Sequence, residues 1–395
     1  MIGPWINYGL KLRAMHMNNN IGHYLVDGKF YYSKSHALYE SSVSGKKIEW
    51  SFNNEVWENF SKNRLHTLGK TPLDTLYKER AQQLRDKYDY LILNYSGGPD
   101  SHNILMTFIN NNIHLDEVYV KYSHSVESKL YTPNTTVTGA ENIFSEWDFC
   151  IKPTLEWLAK EHPNIKIKVH DVYKDDPKSR LNDDTFITTG HFLGAFEIIR
   201  QRTFSDSLIT QSDKNKKVCG IYGIDKPNVF SEDNQFYMFF HDQAVNVVAK
   251  GANVNQNMSQ ITELFYWTPD MPDIVFEQSY RILEYFKLHP ELRHLHDIKI
   301  FKRNDDNRNE QMRRLMIPLI YTTWDQTKFQ ASKPVAVNDA GRSRDLYLLA
   351  RPEFKNYIDN WRGRYKEWRS SVAETEMNGS QMKFLLTRRY KVGDI

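Results

Sequence analysis

From residue 72 to residue 171 the chain switches repeatedly between helical and strand periodicity. Leu73, Leu76, Ala81 and Leu84 recur near helical spacing, which predicts a helix over residues 72–88. An unbroken apolar run from Tyr90 to Leu93 then reads as a strand, and residues 101–110 resume helical spacing with Ile104, Leu105, Phe108 and Ile109 on one side. Further strands are predicted at 117–122, 165–169 and 217–221, and further helices at 141–161, 191–202 and 274–286. Alternating strands and helices imply a parallel sheet, with ligands at the carboxyl ends of its strands.

The first 71 residues follow a different pattern. Asp27-Gly28 sits between two β-prone runs and predicts a hairpin, and the alternation through residues 47–52 predicts another strand. The expected organisation is a small β-rich layer over 1–71, an α/β domain over 72–250 and a mainly helical region over 251–395.

Composition narrows this picture only slightly. A hydrophobic fraction of 40% over 395 residues suffices for a sizeable core, and a formal net charge of +3 neither demands nor excludes a nucleic-acid partner. With only two cysteines, Cys150 and Cys219, there is no disulfide framework or zinc ribbon, which fits a reducing, cytoplasmic compartment. No apolar run approaches the roughly 20 residues that span a bilayer, and the first residues lack a signal-peptide pattern, so no membrane association is expected.

The candidate chemistry lies where the central apolar run ends, at Ser96-Gly97-Gly98-Pro99-Asp100-Ser101. A strand, a glycine turn and a helix start leave backbone N–H groups facing an anion at the positive end of the helix dipole. Gly97 and Gly98 permit positive φ and close approach of a phosphate; Ser96 and Ser101 bring hydroxyls, and Asp100 a carboxylate able to hold Mg²⁺ against phosphate oxygens. By contrast, Gly69-Lys70-Thr71 is no Walker A loop, because Arg64 stands where that loop needs its first glycine.

The same six residues match the SGGxDS signature of the PP-loop ATP pyrophosphatases, a superfamily that includes the synthetase domain of asparagine synthetase and several tRNA-modifying enzymes. The resemblance implies a fold like the adenine nucleotide alpha hydrolases, a parallel sheet with helices on both faces. It also implies ATP and Mg²⁺ as cofactors and cleavage of ATP between the α and β phosphates, with adenylation of a small-molecule acceptor and release of pyrophosphate. By this resemblance Tyr122 and Ser123 contact the nucleotide; on the residues alone they simply end a strand. A second strand-to-loop transition, Ile221-Tyr222-Gly223-Ile224-Asp225-Lys226, resembles the glycine turn bearing Ser-Asp-Glu in asparagine synthetases. Gly223 and Asp225 match, while Lys226 replaces the glutamate. Asp100 and Asp225 are then expected to share Mg²⁺, with Lys226 neutralising phosphate charge or closing a surface salt bridge. Lys328 lies where those enzymes place a pyrophosphate-binding lysine, although an exposed lysine fits the residues as well. The resemblance has usable motifs over about residues 86–250 and is only topological over 250–334.

Asparagine synthetases open with a glutaminase domain whose nucleophile is an N-terminal cysteine. Here Ile2 stands at that position and no cysteine precedes Cys150, so the expectation is a ligase without that half. Its nitrogen would come from free ammonia, another subunit or an amine of the acceptor. Two alternatives stay open: a tRNA- or nucleobase-modifying enzyme using sulfur or nitrogen, with Cys150 and Cys219 either serving sulfur transfer or standing as buried structural thiols, and a catalytically silent nucleotide-binding or virion-associated protein. The composition, heavy in Asn, Lys, Tyr and Asp, resembles that of tailed-phage proteins, which would place the chain in a host cytoplasm.

Two weaker features remain. His289, His294, His296 and Asp297 form a histidine-rich patch, but positions i and i+2 diverge on a helix, so a metal there requires a strand or turn. Aromatic and basic residues interleave at 361–369 and again at Arg388-Arg389-Tyr390-Lys391. Such a segment either contacts RNA by stacking and phosphate pairing or packs its aromatics on the body.

Overall fold

The central apolar run forms the middle strand of a five-stranded parallel sheet. The computed structural model describes residues 22–31, 37, 40, 41, 43–52, 54–122, 146–171, 216–242, 260–300, 306–325 and 385–395. Ser123, Lys328, the helix expected over 191–202 and the basic-aromatic stretch 361–369 lie outside them.

Three strands, β1 (His23–Val26), β2 (Lys29–Tyr31) and β3 (Ile48–Ser51), form an antiparallel sheet in the order β2-β1-β3. Its hairpin turns at Asp27 and Gly28, both with positive φ (51° and 74°), as the sequence predicts for that pair. Helix α1 (Asn54–Asn63) and helix α2 (Leu73–Lys87) lead into β4 (Tyr90–Asn94). Helix α3 (Pro99–Asn110) then leads to β5 (Glu117–Tyr122), and helix α4 (Lys152–Glu161) to β6 (Lys166–Asp171). A π-helical turn, Trp147–Ile151, precedes α4, just ahead of Pro153, which has no N–H to donate to the turn before it.

Strand β7 (Val218–Tyr222) pairs with the other edge of β4, with Leu93 opposite Ile221. Strand β10 (Gln260–Leu264) pairs in turn with β7, giving the order β10-β7-β4-β5-β6. The sheet therefore continues past residue 250, where the sequence placed a boundary. The chain builds outward from β4 through β5 and β6 and later returns to build the other way from β7. That makes the β4–β7 junction a topological switch point, the place where ligands bind in open α/β sheets. Alternation along β4 sends Leu91 and Leu93 into the main core, while Tyr90 and Ile92 join Tyr119 and Val218 in a smaller cluster.

A second antiparallel sheet was not legible in the sequence. Strands β8 (Asn228–Glu232) and β9 (Gln235–Phe239) form a hairpin whose turn, Asp233-Asn234, has φ of 52° and 60°. Strand β11 (Tyr390–Asp394) adds to β9, giving the order β11-β9-β8. Helix α5 (Asp273–Leu288) packs on α2, β11 and helix α6 (Asp306–Ile320). Ser61 in α1 donates to the Lys391 carbonyl at 2.7 Å and Tyr24 donates to Asp242 Oδ2 at 3.0 Å, so the N-terminal layer is pinned to this region. Arg388 pairs with Glu58 at 2.9 Å, Arg389 with Glu232, and Tyr390 is buried, so this second basic-aromatic run leads into the edge strand β11 with both arginines engaged.

The edge strand β10 is held from α2 by a buried cation. Arg80, fully buried, donates to Glu263 Oε2 at 3.1 Å and to the Leu264 carbonyl at 2.9 Å. Lys87 and the Tyr88 hydroxyl reach the other Glu263 oxygen at 2.8 and 2.5 Å. Arg80→Ala leaves Glu263 two of its partners but strands the buried Leu264 carbonyl. The expected loss, read by urea unfolding, is about 2 kcal/mol. A loss under about 0.5 kcal/mol, the ordinary range of surface substitutions, would refute this role.

Candidate functional site

The site begins at the turn after β4. Gly97 has φ of 80°, and a Cβ there would lie 2.5 Å from Cγ1 of Ile151 and 3.2 Å from Cγ of Glu146. Only glycine suits such a position. Gly98 is the N-cap of α3 and Pro99 takes the first helical position, where its missing N–H costs nothing. No side chain caps the helix, so its N-terminal amides face the turn. Ser101 is buried and its hydroxyl works inside the turn: it donates to the Gly98 carbonyl at 3.1 Å and accepts from the Ser96 amide at 3.1 Å. Ser96, by contrast, is exposed at the tip.

Across the switch point, Gly223 follows β7. A Cβ on it would come within 3.1 Å of Asp100 Cβ and 3.2 Å of the Ser101 amide, so the loop after β7 packs directly on the first turn of α3. This contact brings together the two halves expected from the sequence. Lys226 Nζ meets both carboxylate oxygens of Asp100, at 2.6 and 2.7 Å, and lies 3.5 Å from Asp225 Oδ1. Asp225 also accepts from the Lys226 amide at 2.6 Å, and its other oxygen stands 3.8 Å from His241 Nε2. The side chains of Asp100, Lys226 and Asp225 keep 21%, 15% and 30% of their surface, so the cluster is half-buried.

Two tyrosines that the sequence did not single out complete it. Tyr321, just after α6, donates to Asp100 Oδ1 at 2.6 Å, and its ring centroid lies 5.8 Å from Lys226 Nζ. Tyr266, just after β10, donates to the Asp100 carbonyl at 2.9 Å and accepts from Asn103 at 3.1 Å. Burial first, and then the neighbouring Asp100 charge, push the Tyr321 hydroxyl well above its usual pKa, so it stays a donor. Burial works to lower Lys226, but the Asp100 and Asp225 carboxylates outweigh it and hold the ammonium above the ordinary lysine value. Topology offered one signal for Tyr266, since it closes a strand beside β7 at the same end of the sheet.

The remaining expectations divide. Tyr122 ends β5 half-buried, stacked on Trp147 with centroids 5.6 Å apart. Glu146, not singled out beforehand, sets a carboxylate oxygen 3.8 Å from where a Gly98 Cβ would be. Cys150 and Cys219 are both buried, and burial pushes both thiols up, against thiolate chemistry. In the histidine-rich patch, His296 is buried against Ser231 Oγ at 2.7 Å, while His289 faces Glu291 at 3.0 Å. Among the described residues no three or more His, Cys, Asp or Glu side chains are placed to hold a metal ion, and no helix is long and apolar enough to cross a membrane.

The donors at Asp100 and Asp225 suit ATP and Mg²⁺ unequally. The glycine turn and the uncapped amides of α3 suit a phosphate. Mg²⁺, which demands oxygens near 2.0–2.1 Å in octahedral array, does not fit: Asp100 Oδ1 already accepts from Lys226 and Tyr321, and Oδ2 from Lys226. The two carboxylates expected to share Mg²⁺ share an ammonium instead.

Two histidines, His296 buried and His102 half-buried, are expected to set an acid limit on stability. Burial pushes His102, on α3, and His296 each down to about 4 from 6.5. The unfolded chain binds more protons between those values, so stability rises with pH across the window and is lost as pH falls from about 6.5 towards 4. Thermal melts at pH 7.5 and 5.0 should show the lower midpoint at 5.0, and Ser231→Ala should leave that pH trend in place. A midpoint that rises on acidification would refute it.

No protein-family model, curated protein or solved structure matches the chain. What the fold and geometry define is an α/β protein with a glycine turn at its switch point, beside a lysine–carboxylate cluster.

Proposed function

We propose that the chain is an ATP-dependent ligase of the PP-loop kind, which adenylates a small-molecule acceptor and releases pyrophosphate. The observation that carries this proposal is the SGGxDS turn set at the β4–β7 switch point with Gly223 packed against Asp100. A glycine turn alone recurs in many proteins. A glycine turn at the switch point, facing a second motif from the adjacent strand, is a far narrower arrangement.

In this proposal the turn from Ser96 to Gly98 and the N-terminal amides of α3 hold phosphate oxygens. Bound ATP supplies an activated α-phosphorus for transfer to the acceptor. Asp100 fixes Lys226 at the edge of the cradle, and Tyr321 and Tyr266 fix Asp100. The ammonium is then fixed in place before charge develops on the leaving group, a preorganisation that lowers such barriers. The acceptor enters from the side of α5, α6 and the loop after β10, the region that the resemblance covers only by topology.

The test is pyrophosphate release from ATP, with Mg²⁺ supplied in solution, in a metabolite extract from the expression host. Release that depends on extract supports the proposal, and fractionation then identifies the acceptor.

A second reading is a nucleotide-binding protein that does not turn over. It is favoured by Lys226, whose ammonium is engaged by Asp100 and Asp225, and by the Glu146 carboxylate beside the turn. Nucleotide binding without pyrophosphate release in any fraction would select it.

A further inference from the structure

We infer that the Lys226 ammonium is the resident cation of this site, filling the place between Asp100 and Asp225 where a divalent ion was expected, so that the protein takes a nucleotide triphosphate without holding a metal of its own. The inference deepens the nucleotide reading above and rests on it for the identity of the ligand.

The geometry carries it in three steps. First, the ammonium is coordinated like an ion: it has two Asp100 oxygens at 2.6 and 2.7 Å, an Asp225 oxygen at 3.5 Å and the Tyr321 ring at 5.8 Å. Second, these contacts take most of the acceptor capacity of Asp100, the carboxylate a metal would need first: Oδ1 accepts from both Lys226 and Tyr321 and Oδ2 from Lys226, while Asp225 Oδ1 accepts from the Lys226 amide. A metal would have to expel Lys226 and turn Tyr321 away, leaving its buried hydroxyl without its carboxylate. Third, Lys226 is tethered. It sits next to Asp225 in sequence, and Gly223 locks that loop onto the first turn of α3. A charge fixed by the fold is present at any metal concentration, whereas a bound ion is present only above its dissociation constant.

The consequence is specific. The chain's own carboxylates are compensated by lysine, so the nucleotide site does not depend on a protein-bound ion. Any Mg²⁺ that arrives with ATP is carried by the phosphates and not by Asp100 or Asp225.

The test has two arms on the full chain. In the first, Mn²⁺ alone is titrated and followed by electron paramagnetic resonance. Wild type is expected to bind none at sub-millimolar concentration. Lys226→Met and Lys226→Gln are expected to gain one site, lost again when Asp100→Asn is added; two replacements are used so that poor folding of one does not decide the result. In the second arm, α,β-methylene ATP is titrated calorimetrically with EDTA and with Mg²⁺, and the affinities are expected to agree within about threefold, well under 1 kcal/mol. Mn²⁺ bound by wild type and lost in Asp100→Asn overturns the inference. So does a failure of both folded Lys226 variants to gain a site, or a fall in analogue affinity of more than about tenfold in EDTA. If the analogue binds in neither condition, the nucleotide reading falls, and the Mn²⁺ arm still decides whether lysine stands in for the ion.

Discussion

Asp100→Asn should reduce pyrophosphate release by at least about a hundredfold, the scale seen when one preorganised electrostatic contact is removed from an active site. The change is one of charge, since shape is nearly unchanged. Asparagine keeps a carbonyl oxygen for the Tyr321 hydroxyl and the backbone carbonyl for Tyr266. Lys226 loses the negative charge and one of the two oxygens that hold it at 2.6 and 2.7 Å, keeping a neutral amide oxygen and Asp225 at 3.5 Å. Its ammonium is then held more loosely, and a charge that must find its place during the reaction contributes less than one already there. The fold should barely notice. The pair is partly exposed, so its contribution to stability is in the range of about 0–1 kcal/mol. Asp100→Ala should abolish release as well, with a larger drop in melting temperature because Tyr321 also loses its acceptor. Full turnover in Asp100→Asn would sink the adenylation proposal, while normal nucleotide binding with no turnover in wild type would select the silent reading.

Much of the sheet was legible because its strands are short apolar runs between helical periods. The run 90–93 became β4, 117–122 became β5, and the Asp27-Gly28 pair gave the first hairpin. The β8–β9 hairpin was not legible for a physical reason: its turn is Asp233-Asn234, without the glycine that announces most such turns, and its flanks at Ser231, Glu232 and Gln235 are polar. Strand β11 was hidden more deeply. Its Lys391 and Gly393 argue against a strand, and only pairing with β9, far along the chain, makes it one.

The candidate site divides in the same way. Its local part, a glycine turn between strand and helix, is written in consecutive residues. Its non-local part is not: Tyr266 and Tyr321 reach Asp100 from 166 and 221 residues away, brought there by strand order and by the packing of α6. The destination of Lys226 was equally hidden. Sequence places it beside Asp225, but the register that sets Leu93 opposite Ile221 decides that its ammonium meets Asp100.

Gly97→Ala should both unseat the nucleotide and destabilise the protein by about 3 kcal/mol. Two costs combine. An alanine at a φ of 80° adopts a left-handed conformation at about 1 kcal/mol or more, and its Cβ would lie 2.5 Å from Ile151 Cγ1, an overpacking that typically costs about 1–3 kcal/mol. Ile151 is fully buried in the turn before α4, so it has little room to give. A double-mutant cycle separates the two costs. Ile151→Ala removes the clashing atom and leaves the backbone strain, so the pair should be more stable than the sum of the single losses by about 1 kcal/mol. Binding should respond differently. The strained turn presents its amides in the wrong directions whether or not Ile151 is trimmed, so Gly97→Ala and the double variant should both lose α,β-methylene ATP binding by at least about tenfold. Coupling in stability without recovery of binding would mean that the glycine serves the anion cradle directly. Recovery of binding in the double variant would reduce Gly97 to a packing role, and the phosphate would then have to be held by the helix N-terminus alone.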